Sequence, residues 1–210
     1  VNLQIPTLTP GYRTLREFNV SKGYGFNLNY VSGGREAQWA VRRTSGRQTI
    51  YYRRVVYEDP SSEQTDTTPP FPPPPVITEP LKTAVDVIVA DVREHSADPA
   101  SFTAELLRVV NELSPDANVD LLLADANTPA DFVETITTVL AAARIPARMI
   151  RGIILQDRQR TVDPRPWLEV HDGVRWRYFD PNTGAEGLPD RFLMWWRGNE
   201  PLVRVEGGSN

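Results

Sequence analysis

An α+β fold is predicted by three features of the chain. Apolar residues alternate with polar ones up to about residue 58, fall at helical spacing from residue 80, and alternate again after residue 147. Between the first two regimes lies a breaker-rich stretch from Glu58 to Pro80 with Pro69-Pro70 and Pro72 to Pro75. Consecutive prolines lack amide donors and favour polyproline II, so this stretch reads as a semi-rigid spacer. The expected organisation is a small antiparallel β domain over 1–58, a Pro-rich linker over 59–77 and a second domain over 78–210.

In the first part, Ala37, Trp39 and Val41 share one parity, as do Tyr51, Val55 and Tyr57. Strands are expected over 11–20, 25–31, 37–43 and 48–57, broken at Gly23, at 32–34 and at 45–46. After the linker, Leu81, Val85, Ile88, Val89 and Val92 fall on one helical face, as do Phe102, Leu106, Val109, Val110 and Leu113 behind Asp98-Pro99, an expected N-cap and first helical residue. A third set, Phe132, Ile136, Val139, Leu140 and Ala143, follows Thr128-Pro129-Ala130-Asp131, a variant capping box. Strands are then expected over 149–155, 167–171, 174–179, 192–197 and 202–205. Asp172-Gly173 is a favoured two-residue turn; with it at the hairpin tip, Trp167 faces Tyr178, Glu169 faces Trp176 and Arg165 faces Asp180.

Composition excludes much chemistry. The 210 residues hold no cysteine, so disulfides, thiolate metal sites and thiol nucleophiles are absent, and His95 and His171 are too far apart in sequence for a local ligand pair. No metal or cofactor is expected. The net charge of −4 divides into +6 over 1–58, −12 over 59–143 and +2 over 144–210. The N-terminal basic residues are dispersed through alternating aromatic segments, which reads as solvated strand faces and not as a nucleic-acid site. Asp116 to Asp120 copies half of a calcium loop, but the glycine and terminal glutamate positions are Leu121 and Asn127, leaving a helix start or loop. Asn182-Thr183-Gly184 is ordinary turn chemistry.

Four ordered motifs carry a resemblance: Asp131-Phe132, Arg144-Ile145-Pro146-Ala147-Arg148, Trp167-Leu168-Glu169-Val170 and Phe179-Asp180-Pro181. They resemble the D-F, G-I-P-A-R, W-V-E-V and F-D-P motifs of the transglutaminase-like, papain-related family. That resemblance implies a papain-like core of helices packed on an antiparallel sheet. It also places the family's nucleophilic Cys at Pro129, its His at Arg165 and its Asp at Asp180. Proline has no nucleophilic atom and no amide, and a guanidinium stays protonated and accepts no proton. The triad is therefore degenerate, and the expectation is a chain that is not an enzyme.

The double loss, the N-terminal β segment and the proline linker together resemble a bacterial family of inactive transglutaminase domains fused to seven transmembrane helices. The chain lacks an initiating Met and reads as a fragment. The resemblance implies an extracytoplasmic pseudoenzyme domain of a multi-pass membrane protein, at the periplasmic face of the bacterial inner membrane. Its expected role is to bind a peptide, a cell-wall fragment or a partner protein. Thr128, Trp167, Trp176, Asp180, Trp195 and Trp196 are the candidate ligand-binding residues, and an Arg165–Asp180 ion pair is expected to replace the His–Asp bond. The alternatives are an enzyme with a non-Cys nucleophile, for which Thr128 is the nearest hydroxyl, and a structural spacer without a ligand.

Overall fold

The structure, a computed structural model, describes residues 1–6, 9–31, 34–60, 69–113 and 116–207. Residues 32 and 33 of one expected turn and 61–68 of the expected linker lie outside the described residues. In chain order the elements are β1 (Asn2–Ile5), β2 (Tyr12–Asn19), β3 (Gly25–Val31), β4 (Gly34–Ala40), β5 (Tyr52–Glu58), α1 (Leu81–Glu94), α2 (Pro99–Val110), α3 (Ala117–Leu123), α4 (Pro129–Ala142), β6 (Ala147–Ile154), β7 (Arg165–His171), β8 (Trp176–Phe179), β9 (Phe192–Arg197) and β10 (Val203–Arg204). The fold class is α+β, with helices packed on antiparallel strands and an N-terminal β region. Two compact units divide the chain: Val1–Thr65 with Leu193–Asn210, and Asp66–Phe192. The C-terminal residues, expected with the second domain, thus cluster with the first, where β10 pairs with β1 through Leu3 and Val203.

In the first unit the order β10-β1-β4-β3 makes a four-stranded sheet, and β2 pairs with β5. Strict alternation gives the sheet two chemically different faces. Leu3, Ile5, Ala37, Trp39, Phe26, Leu28 and Val203 share one face through the registers Leu3↔Ala37, Leu3↔Val203, Phe26↔Trp39 and Leu28↔Ala37. Asn2, Gln4, Glu36, Gln38, Asn27 and Asn29 occupy the other. Ile5, Ala37 and Trp39 form a buried apolar cluster on the first face. Beside it Glu17 lies between two guanidiniums, 2.7 Å from Arg35 and 3.5 Å from Arg54. Burial pushes the Glu17 carboxyl up, but the bond and charge of Arg35 and the charge of Arg54 bring it below its ordinary value. Burial, then the neighbouring Glu17 charge, pushes the Tyr52 hydroxyl up to about 12.

The second unit buries the helical faces read from the sequence. Val85, Ile88, Val89 and Val92 of α1, Phe102, Leu106 and Val110 of α2, and Val133, Ile136, Val139 and Leu140 of α4 join Met149, Leu168, Val170 and Phe179 in one core. Asp98 caps α2 by accepting from the Ser101 amide at 2.8 Å, with Pro99 as first helical residue. One position of the expected face fails: Leu113 is fully exposed. The α2 helix ends at Val110, where the Asn111 side-chain amide donates to Leu107 O at 2.8 Å and to Pro181 O at 3.0 Å. The half calcium loop is a helix start: Asp116 caps the short α3 through the Asn118 and Val119 amides.

Among the strands of this unit, β7 pairs antiparallel with β6 on one side and with β8 on the other. The hairpin register differs from the expected one. Leu168 pairs with Phe179, Glu169 with Tyr178, Val170 with Arg177 and His171 with Trp176, two residues further along β8 in every case. Local chemistry explains the shift. The Asp172 carboxylate accepts from the Val174 amide at 2.7 Å, the Arg175 amide at 2.8 Å and Arg177 Nε at 2.5 Å, while Asp172 N–H donates to Arg175 O. Asp172 therefore opens the turn and Gly173, at φ +101°, takes its first central position.

Candidate functional site

Pro129, the residue that the motif resemblance aligns with a nucleophile, begins α4. Thr128 is the N-cap; its hydroxyl accepts from the Asp131 amide at 3.2 Å, and Asp131 Oδ2 accepts from the Thr128 amide at 2.9 Å. Pro129 sits between them as the first helical residue, where its missing amide costs no helical bond. Thr128 and Pro129 are both exposed. A helix N-terminus of this kind lowers a thiol pKa when a Cys occupies it. Here it holds a closed capping box around a ring that cannot react.

Arg165 begins β7 opposite Gly152 of β6 and is exposed. The expected ion pair with Asp180 is absent: no hydrogen bond or ion pair joins the two among the described residues. The Asp180 carboxylate instead accepts from the Asn182 amide at 2.9 Å and from its side chain at 3.3 Å. The Asp180 backbone bonds Ala185 O and Gly184 N, each at 2.9 Å, closing the turn that holds Asn182-Thr183-Gly184. The pair fails because the register in which Arg165 faced Asp180 is not the one formed. Pro129, Arg165 and Asp180 thus serve three separate local structures.

The four candidate tryptophans divide. Trp167 is buried, packs on Phe192 at 5.9 Å and donates its indole N–H to Gly187 O at 2.9 Å. Trp196 is buried and donates to Glu200 O at 3.0 Å. Trp176 is half-buried, with the Arg148 guanidinium 3.8 Å above its ring and His171 edge-on at 5.2 Å. Trp195 is half-buried and lines a cavity of the first unit.

One arrangement was legible in the motifs but not assembled from them. The Arg of the G-I-P-A-R-like motif, Arg148, is the cross-strand partner of the Glu of the W-V-E-V-like motif, Glu169. Arg148 Nε bonds the carboxylate of Glu169, which is fully buried, while its guanidinium stacks on Trp176. These two motifs therefore meet as one structural unit of the sheet. The fixed two-strand register is the signal that joins them. A second motif position explains itself similarly. Arg144 stands where the family has Gly, at φ +66°, and closes a Schellman turn: its amide donates to Ala141 O, and the Ile145 amide to Leu140 O.

The chain has no cysteine, and among the described residues no group of three or more His, Cys, Asp or Glu side chains is placed to hold a metal ion. This chain therefore carries no Cys–His site. A putative cysteine protease from Cytophaga hutchinsonii, solved by crystallography, is similar at 14% identity and a TM-score of 0.49, with 94% of this chain and 75% of that chain covered. At that level the likeness bears on neither activity nor site. No curated protein matches the chain.

The expected membrane context is corrected. Among the described residues no helix is long and apolar enough to cross a membrane; the longest, α1 and α4, have 14 residues against the ~20 a span requires. The expectation that this chain is a soluble domain of a multi-pass membrane protein loses its support, and with it the periplasmic location and the membrane-bound partner context inferred from it. The family described as inactive transglutaminase fused to 7 transmembrane helices matches residues 1–126, from β1 through α3 and ending just before Thr128. On that match the chain belongs to this inactive transglutaminase family, and among the described residues no helix has the length and apolarity of the spans its description names.

Proposed function

We propose that this chain is a non-catalytic transglutaminase-like domain that acts by binding, its former catalytic positions having been taken over by structure. The capping box at α4 is the observation that carries this reading: Thr128 and Asp131 close on each other around Pro129, so the one hydroxyl beside the old nucleophile position is already committed to the helix. No base serves it. His95 closes α1 with Nδ1 bonded to Asp91 O at 2.9 Å, and the buried His171 accepts from the Gly173 amide through Nδ1. The Arg148–Glu169 pair and the Schellman turn at Arg144 account for the surviving motifs as fold-bearing parts.

The test is amine incorporation into a glutamine peptide, together with hydrolysis of simple amides and peptides, by the purified chain. Rates equal to buffer are expected for the wild type and for Thr128→Ala alike. Thr128→Ala should lower stability by about 1 kcal/mol through loss of the cap. Turnover that Thr128→Ala abolishes refutes the proposal and makes Thr128 a nucleophile.

A further inference from the structure

The apolar face of the N-terminal sheet is not fully covered. Over β1 and β10 it opens into a cavity of about 370 Å³ lined by Val1, Leu3, Trp39, Ile50, Tyr52, Trp195 and Val203. This is within the ~300–1,000 Å³ typical of small-molecule sites. Trp39 meets Tyr52 edge-on at 6.1 Å, and Trp195 provides a further aromatic wall. We infer that this cavity is a ligand site of the N-terminal unit and that it takes a neutral aromatic group.

Three observations select that chemistry. First, the walls are aromatic rings and branched aliphatic chains, which suit ring stacking and edge-to-face contact. Second, three polar ends of the lining are committed elsewhere, the buried Tyr52 hydroxyl not among them. Trp39 Nε1 donates to Asn19 Oδ1 at 2.8 Å, Trp195 Nε1 donates to Gln4 O at 2.8 Å, and the Val1 nitrogen donates to Trp39 O at 2.9 Å. A sugar ring in this cavity would bury several hydroxyls against the one uncommitted hydroxyl of Tyr52, a mismatch such a site rejects. Third, the ionised groups around Tyr52 are Arg35, Arg54 and Glu17, with one more positive charge than negative. That balance disfavours the ammonium ions that aromatic cages otherwise attract. The site goes beyond the non-catalytic reading, because it lies in the N-terminal unit and uses none of the former catalytic positions.

The experiment follows the five indole N–H signals of the chain by ¹H–¹⁵N NMR during titration with indole. Saturable shifts are expected at Trp39 and Trp195, with Trp167, Trp176 and Trp196 unmoved. N-acetyl-L-tryptophanamide distinguishes two sources of the same ring: shifts with it as well mean that a peptide can present the group, and shifts with indole alone mean a free small molecule. N-acetylglucosamine and choline should move nothing. Val203→Trp, on an exposed edge strand, fills the cavity and should weaken indole binding at least tenfold while the other indole signals keep their positions. Ile50→Trp closes the cavity from a different wall and serves if the first variant misfolds. No saturable shift with indole, equal shifts with the sugar or choline, or undiminished binding to a folded cavity-filled variant overturns the inference.

Discussion

Asp172→Asn removes the charge that opens the β7–β8 turn while keeping the shape of the side chain. Burial alone would push this carboxyl up; the amide of Arg175, the guanidinium of Arg177 and the amide of Val174 outweigh it and bring it from 3.8 to about 2. The side chain is only 12% exposed, so solvent screening removes little of the effect. At ~1.4 kcal/mol per pKa unit the shift corresponds to about 2 kcal/mol of folding stability. The sign follows from the direction. The folded carboxyl is the stronger acid, so its contribution is complete above the unfolded pKa of about 4 and is lost as pH falls through about 2. Asparagine retains an oxygen for the two amides, so the expected loss at pH 7 is about 1–2 kcal/mol, shrinking below about 0.5 kcal/mol by pH 2. Urea titrations of both proteins, read on the Trp176 indole signal beside the hairpin, measure this difference at each pH. A wild-type advantage that stays constant from pH 7 to pH 2, or no advantage at all, refutes the assignment of the turn to Asp172.

Two further substitutions probe backbone positions. Arg144 holds φ +66° at the end of α4, a conformation that costs a side-chain-bearing residue about 1 kcal/mol or more, so Arg144→Gly should raise the unfolding free energy by about 1 kcal/mol in a urea titration. Gly184 has φ +73°, and an added Cβ would stand 3.2 Å from Ala104 O on α2; Gly184→Ala should therefore lower stability by about 2 kcal/mol, measured the same way.

Much of the fold was legible because its signals are local. The offsets of Val85, Ile88 and Val92, or of Ile136, Val139 and Leu140, need only the 3.6-residue period, and all six are buried. The caps at Asp98-Pro99 and Thr128-Pro129 involve residues within one helical turn. Strand β1 was missed although Leu3 and Ile5 alternate with Asn2 and Gln4, since four residues carry too little pattern to separate a strand from a loop. The hairpin tip was identified and its register was not. Asp172-Gly173 has the composition of a two-residue turn, but an aspartate that bonds the amides two and three positions ahead sits one place earlier in it.

What the sequence determined alone is therefore the α+β class, the capped helices and the absence of any cysteine thiol. Those follow from residue identity and from interactions spanning a few positions. Tertiary structure decided that Arg165 stays apart from Asp180, that Arg148 bonds Glu169, that Trp167 and Trp196 are interior, and that Trp195 and Val203 border a cavity with Leu3. Each of these depends on strand register or on pairing between residues as far apart as 3 and 203. A two-residue shift in register changes which side chains meet across this hairpin, and local propensity does not encode that choice.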